Sequence, residues 1–245
     1  MATIICDRQK FLGIEAILFD KDGTLEDSRL YLRQLAQERV KQIPFSNPQS
    51  ADDLLMAFGV SKTKIDPKGL MAVGSRAENE LAAAAYLTKD GYSQKEAQTI
   101  VHQAFNKAAQ KIKPNCQSSP LFPNSLLTIK SLAKAHIKLG IVSADSTQGI
   151  KNFLKREHID SYFSVTLGSN NELHKPDPLM YLKACNLLKV QPQNTLMIGD
   201  SIGDIQMAKQ ANARGTIGII WHDSSANHLK EATIVVNNLA TIKTA

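Results

Sequence analysis

The 245-residue chain has few of the features that small secreted or metal-stabilised proteins depend on. Its three cysteines (Cys6, Cys116 and Cys185) are an odd number without Cys-x-x-Cys spacing, which disfavours a disulfide framework and a zinc site. No apolar run approaches the ~18 residues that a membrane span needs. Residues 1–6 are too short an apolar run, and lack the basic start, for a signal peptide. We therefore expect a reduced, cytoplasmic protein with no membrane partner.

The sequence also lacks the features of nucleic-acid binding. Aromatic residues make up 6% of the chain, and no run of five to eight Lys or Arg residues occurs. The net charge is +6, and most of the excess lies in residues 29–113, which hold 13 Lys and Arg against 8 Asp and Glu. Two interpretations stay open: a solvated helical surface, or a field that attracts small anions. We expect no nucleic-acid partner.

Short apolar runs alternate with helical patterns through most of the chain. This alternation is typical of βαβ units and predicts an α/β fold with a parallel sheet. Ser146 is placed to cap the helix that follows it, and Asn212 to end one in the left-handed conformation. The strands are expected at residues 16–19, 139–142, 165–167, 195–198, 216–220 and 234–236, and the helices at 126–136, 147–157, 179–188 and 205–211.

Residues 29–113 show a different pattern, with apolar positions at helical spacing and no β-branched runs. One helix should begin after Ser93, because Ser93 and Glu96 form the Ser-x-x-Glu capping box. An Ala-rich stretch at residues 81–85 also favours helix. The sequence therefore predicts an all-helical insert at 29–113 that interrupts an α/β core made of residues 1–28 and 114–245.

Four aspartates are expected at one edge of the sheet. Asp20 and Asp200 directly follow apolar strands, where open α/β folds bind ligands. Asp22 shares a side with Asp20, and Asp204 follows Asp200 closely. Two carboxylates 4 Å apart repel by about 4 kcal/mol at an effective dielectric near 20, so a cation must offset the charge. Hard oxygen ligands suit Mg²⁺. A calcium-binding loop is excluded, because it needs a third oxygen-bearing residue before its glycine, whereas Gly23 directly follows Asp22. It also needs Glu six residues after the glycine, where this chain has Arg29.

Four motifs resemble those of the haloacid dehalogenase-like hydrolase superfamily. They occur in the same order as in that family and cover the whole core. The insert between the first two resembles the phosphoglycolate phosphatase-like and β-phosphoglucomutase-like branch. The resemblance implies a Rossmann-like core with a mobile helical cap. The motifs are Asp20-x-Asp22-Gly23-Thr24-Leu25, Ser143 after an apolar strand, Lys175-Pro176-Asp177-Pro178, and Gly199-Asp200-Ser201-x-x-Asp204.

The resemblance also implies a role for each motif residue. Asp20 would be the nucleophile that forms an aspartyl-phosphate, and Asp22 the general acid and then the base that activates water. Mg²⁺ would be held by the side chains of Asp20 and Asp200 and by the Asp22 carbonyl, with Asp204 holding metal-bound water or its neighbours. Ser143 and Lys175 would bind the phosphoryl oxygens. The cofactor is therefore expected to be Mg²⁺.

The implied activity is a phosphatase acting on a small phosphorylated metabolite, with phosphoglycolate as the best single substrate. A sugar-phosphate mutase and a catalytically idle binding protein are the alternatives, although a binding module would not need Asp22. The second aspartate also argues against dehalogenation. The protein is expected to be a monomer or homodimer.

Three further residues leave alternatives open. Asp145 stands close to Ser143, where it would weaken anion binding or point outward. Asn124 replaces a Gly of many relatives and should affect only a local turn. Arg76 opens a predicted helix and would meet a substrate carboxylate, or else pair with Glu80 on the surface.

Overall fold

The computed structural model describes residues 1–66, 68–170, 172–221 and 226–245, and the chain forms two compact units. The first, called the core unit below, consists of Met1–Asp27 and Leu121–Ala245. The second, called the helical unit, is Ser28–Pro120 and so extends past residue 113, where the sequence placed the end of the insert. No helix in the described ranges is both long enough and apolar enough to cross a bilayer.

The core unit contains two sheets. Their strands, numbered in chain order, are β1 (Ala2–Cys6), β2 (Gln9–Ile14), β3 (Ala16–Phe19), β4 (Lys138–Ser143), β5 (Phe163–Gly168), β6 (Thr195–Gly199), β7 (Gly215–Ile219), β8 (Ile234–Val236) and β9 (Ile242–Thr244).

The larger sheet has six parallel strands in the order β5-β4-β3-β6-β7-β8. Strand β3 lies near its middle, and all four of its residues are buried because helices cover both faces. All six strands were expected from their apolar runs, and the predicted α/β fold is confirmed. The register of β3 places Phe19 opposite Ile141 on one side and Ile198 on the other.

The smaller sheet was not predicted. It is antiparallel, with the order β2-β1-β9, and it joins the two ends of the chain. Residues 1–6 are therefore part of a folded hairpin, whose turn contains Asp7 in the left-handed region at φ +50°. The parallel sheet thus begins with the third strand of the chain. Half-buried positions interrupt the apolar pattern of β1 and β2, which hid them from a search for continuous apolar runs.

The helical unit agrees with the predicted helical insert. Ser93 caps the longest helix of this unit. Its hydroxyl oxygen accepts a hydrogen bond from the Glu96 backbone N–H, and the Glu96 carboxylate accepts one from the Ser93 backbone N–H, which is the predicted capping box. A second box joins Ser75 and Glu78. The unit has its own apolar core, in which Phe58 and Phe105 meet edge to face. Its helices are α1 (Arg29–Lys41), α2 (Pro48–Ala57), α3 (Leu70–Val73), α4 (Arg76–Lys89) and α5 (Gln94–Lys111).

The remaining helices flank the parallel sheet. Ser146 caps α7 through the Gly149 N–H, and Asn212, at φ +58°, follows the end of α9, both as predicted. The helices are α6 (Ser125–Lys134), α7 (Thr147–Arg156), α8 (Pro178–Leu188) and α9 (Ile202–Gln210), with 3₁₀ turns at Asp160–Tyr162, Pro192–Asn194, Ala226–Leu229 and Leu239–Thr241.

Candidate active site

Three neighbouring strands of the parallel sheet deliver polar residues to one edge. Asp20 directly follows β3, Ser143 is the last residue of β4, and Asp200 directly follows β6. Because β3 pairs with both β4 and β6 in parallel, their carboxyl ends lie side by side. This is the edge at which open α/β sheets bind ligands.

Three of the four predicted aspartates form a compact acidic cluster. One oxygen from each of Asp20, Asp200 and Asp204 lies within 4.8 Å of the others. Asp20 and Asp204 are buried and Asp200 is half-buried. Asp204 is fixed by the start of α9, where its carboxylate accepts hydrogen bonds from the backbone N–H (3.1 Å) and hydroxyl (2.7 Å) of Ser201. Such a set of hard oxygen atoms matches the ligand preference of Mg²⁺.

Lys175 supplies the positive charge of this cluster. Its Nζ lies 2.5 Å from Asp20 Oδ1 and 2.6 Å from Asp204 Oδ1, and its side chain is almost completely buried. Burial lowers the pKa of the Lys175 amine, but the two carboxylates outweigh it and hold the pKa above its usual range. Lys175 therefore carries its positive charge at neutral pH.

Burial also perturbs the carboxylates. It raises the pKa of Asp20 to about 7, with further increases from the charges of Asp204 and Asp22 and an opposing effect from Lys175. Burial and the neighbouring charge of Asp20 raise the pKa of Asp200 well above its ordinary value. Perturbed carboxyl groups of this kind concentrate at functional sites. If all three carboxylates were ionised, the cluster would carry more negative charge than Lys175 alone balances.

Gly23 allows the loop that follows β3 to approach the loop that follows β6. Its backbone has φ +76°, a conformation that residues with a side chain rarely adopt. A Cβ at this position would overlap the Asp200 carboxylate. The glycine of the first motif is therefore needed both for its turn and for the close contact between residues that are distant in sequence.

Asp22 lies outside the acidic cluster. Its Oδ2 binds Lys21 Nζ at 2.9 Å, and its Oδ1 is buried with no hydrogen-bond partner among the described residues. Lys21 was not singled out from the sequence. Its ammonium also contacts Asp145 (3.0 Å) and Glu26 (3.6 Å), and Arg156 binds the other oxygen of Glu26 at 2.6 Å. We call these five residues the Lys21 cluster.

The Lys21 cluster explains the position of Asp145. The sequence left two alternatives for this acid, weakened anion binding or an outward orientation. Neither alternative considered that Asp145 could pair with a nearby cation. The pairing with Lys21 supplies one, so part of the Asp145 charge is neutralised beside Ser143. Burial lowers the pKa of the Lys21 amine, but Asp22, Asp145 and Glu26 together raise it well above its usual value.

Ser143 is also held in place at this edge. It is buried, and its hydroxyl oxygen accepts the Asp145 backbone N–H at 3.1 Å. Its carbonyl oxygen accepts the Ser169 N–H at 3.0 Å.

Arg76 is the first residue of α4 in the helical unit. Its guanidinium binds Glu80 at 2.7 Å and Asn106 at 2.6 Å. This is the surface pairing offered as the alternative to substrate binding. Outside the site, Asn124 has φ +67°, as its predicted role in a local turn requires.

A parallel sheet that brings three carboxylates and a buried lysine to its carboxyl edge defines the chain as an α/β protein with a candidate metal-binding edge. A family model described as haloacid dehalogenase-like hydrolase matches residues 14–212. The chain belongs to this family, as the four motifs predicted.

Similar proteins support the same assignment. The chain is 28% identical over 210 residues to a phosphoglycolate phosphatase of Psychrobacter arcticus, covering 84% of each chain. It is 26% identical over 222 residues to the pyrophosphatase PpaX of Oceanobacillus iheyensis, covering 89% of each. A crystal structure described as a predicted phosphoglycolate phosphatase from Haemophilus somnus superposes with a TM-score of 0.71 at 20% identity, covering 93% of this chain and 96% of that one. At this identity the structural likeness establishes the fold alone.

Proposed function

We propose that the protein is a Mg²⁺-dependent phosphatase that hydrolyses a small phosphorylated metabolite through an aspartyl-phosphate on Asp20. The observation that carries this proposal is the convergence of Asp20, Asp200, Asp204 and Lys175 at the edge of the sheet. Phosphoryl transfer needs mainly positioning and charge neutralisation, and these residues provide both.

In the first half-reaction, a carboxylate oxygen of Asp20 attacks phosphorus in line with the departing oxygen. Asp22 donates a proton to that oxygen as its bond to phosphorus breaks. Lys175, beside Asp20, binds a phosphoryl oxygen as a point charge, and the Ser143 hydroxyl binds another.

In the second half-reaction, the acyl phosphate on Asp20 is hydrolysed. Asp22 has lost its proton and now accepts one from the attacking water, which returns both aspartates to their starting state. The same side chain thus serves as acid and then as base. Its Oδ1, which has no partner among the described residues, is the oxygen available for both transfers.

The acidic cluster fits a magnesium ion. Asp20 and Asp200 would hold it by side-chain oxygens and Asp22 by its carbonyl, with Asp204 supporting this arrangement. When bound, Mg²⁺ would neutralise negative charge on the phosphoryl oxygens and on the carboxylates. Three carboxylates lie close together here, and the pKa values of Asp20 and Asp200 are raised. This is the structural argument for a cation at this point.

Phosphoglycolate is our leading candidate substrate, because relatives named phosphoglycolate phosphatase match most of the chain. Pyrophosphate is the second candidate, supported by the relative named pyrophosphatase. We assign the choice of substrate to the helical unit, which the family resemblance implies to be a cap. If Arg76 meets a substrate carboxylate, Arg76→Ala should raise KM for phosphoglycolate and leave KM for p-nitrophenyl phosphate unchanged.

The test is phosphate release from phosphoglycolate, pyrophosphate, β-glucose 1-phosphate and p-nitrophenyl phosphate, with Mg²⁺ or with EDTA. We expect release that EDTA abolishes and that Asp20→Asn eliminates while circular dichroism shows an intact fold. Asp160→Asn, an exposed aspartate of the core unit, serves as the control and should keep full activity.

Each of the other possible results would point to a different function or a different nucleophile. Conversion of β-glucose 1-phosphate to glucose 6-phosphate without phosphate release would make it a mutase. No turnover of any of the four compounds by a folded, Mg²⁺-loaded preparation would indicate a binding protein. Substantial turnover by Asp20→Asn would disprove the assignment of the nucleophile.

A further inference from the structure

We propose that Lys21 is a positioning residue that holds the catalytic carboxylate of Asp22 in one orientation. This inference rests on the proposed function, since it assumes that Asp22 is the acid and base. Lys21 Nζ contacts one oxygen of Asp22 at 2.9 Å, which leaves the other oxygen for proton transfer.

The side chain of Lys21 is almost completely buried, at 7% exposure. A buried ammonium is expensive unless it is paired, and lysine is seldom buried without a specific reason. Its three carboxylate partners come from three places in the chain: the adjacent residue, the same turn and the loop after β4. The ammonium therefore ties the first motif to the segment that follows Ser143.

The two other carboxylates are themselves held firmly. Asp145 Oδ1 accepts the Ser146 N–H at 2.6 Å, and its carboxylate packs against Gly149, where any Cβ would overlap it. Glu26 is buried and paired with Arg156, which is also bound to Glu157 at 2.7 Å. Lys21 is thus fixed by groups that do not take part in the chemistry, and this anchoring is what allows it to orient Asp22.

Orientation of Asp22 matters most when the departing oxygen needs a proton. General acid catalysis requires the proton donor to lie within hydrogen-bond reach of the leaving oxygen. A phenolate is a poor leaving group and needs that proton, whereas p-nitrophenolate departs far more readily without it. A displaced Asp22 should therefore slow cleavage of phenyl phosphate more than cleavage of p-nitrophenyl phosphate.

The test compares kcat/KM for these two esters, since this quantity reports the steps up to formation of the aspartyl-phosphate. We expect Lys21→Met to lower kcat/KM for phenyl phosphate at least about tenfold more than for p-nitrophenyl phosphate, as part of the 10²- to 10⁴-fold that general acid catalysis contributes. Lys21→Arg keeps a cation and should return the ratio towards the wild-type value. Asp145→Asn should change the ratio in the same direction by less.

Arg156→Met is the matched control. It removes a half-buried cation of the same cluster that pairs with Glu26 and Glu157, so it should lower both rates equally. A second control is the double variant: in the Asp22→Asn background, Lys21→Met should change the ratio no further, because Lys21 acts through Asp22.

Two results would overturn the inference. Equal losses on both esters in folded Lys21→Met and Lys21→Arg, checked by circular dichroism, would show that Lys21 is only a structural ion-pair partner. A further change of the ratio in the Asp22→Asn background would show that Lys21 acts on another group. Absence of any hydrolysis by the wild-type protein would instead reject the proposed function itself, and this inference would fall with it.

Discussion

Replacing Asp20 with Asn should stabilise the metal-free protein, and increasingly so as the pH rises. Burial raises the pKa of Asp20 from 3.8 to about 7 in the folded protein. Between these values the unfolded chain has lost its proton while the folded protein retains it. The unfolded state therefore binds fewer protons, and the free energy of unfolding falls as the pH rises towards 7. The asparagine variant lacks this dependence.

The magnitude follows from the size of the pKa shift. Each pKa unit corresponds to about 1.4 kcal/mol, and about two of the three units lie above pH 5. From pH 5 to pH 8, the stability of Asp20→Asn relative to wild type should therefore increase by about 3 kcal/mol. The raised pKa of Asp200 also lowers the free energy of unfolding as the pH rises, and this effect is shared in part by both proteins.

The assay is urea unfolding in EDTA at pH 5, 6, 7 and 8, followed by circular dichroism. Asp160→Asn controls for the removal of an exposed acid. Addition of Mg²⁺ at about 100 times its Kd should return about 3 kcal/mol to the wild-type protein at pH 8 and much less to Asp20→Asn. A constant difference between the two proteins across this pH range would refute the argument that the site is strained by its own negative charge.

Three further changes test the packing that supports the site and the fold. Gly23→Ala should destabilise the protein by about 1–3 kcal/mol and reduce activity, because it needs φ +76° and displaces the Asp200 carboxylate; unaltered kinetics would contradict this. Ser93→Ala should cost about 1 kcal/mol by removing the cap of α5, with no added loss when Glu96 is also replaced if the box acts as one unit. Phe105→Ala should cost about 3–5 kcal/mol of unfolding free energy in urea, since its side chain is fully buried; a loss below 1 kcal/mol would show that the helical unit repacks around it.

The parallel sheet could be predicted from sequence because burial on both faces leaves an unmistakable record. The run 16–19 is wholly apolar, and its residues are wholly buried in β3. Strands β1 and β2 leave no such record, since they belong to a small antiparallel sheet with partly exposed faces and contain polar residues such as Thr3 and Lys10. Local patterns detect elements that are buried uniformly, and they miss those that depend on pairing between the ends of the chain.

The same contrast applies to the site. Asp20 and Asp200 could be placed together because each follows an apolar strand and parallel strands share an edge. Lys21 gave no signal, because a lysine between two aspartates looks like a solvated charge. Its partner Asp145 lies far away in sequence and meets it only after the sheet has formed. A search for acids without an evident cation close to predicted strand ends would have identified Asp145 as one half of the pair.

The connection between the core unit and the inserted segment has a consequence for how such proteins change over time. Glu26 and Leu121 form an antiparallel bridge, and the Phe122 N–H donates to the Leu25 carbonyl at 2.9 Å. The chain thus departs from the sheet and rejoins it at adjacent points, through a neck closed by its own backbone. Because the cost of closing a loop grows only slowly with its length, segments of very different size can be exchanged at this neck without disturbing the strands. The acidic cluster depends on those strands and would stay in place through such an exchange.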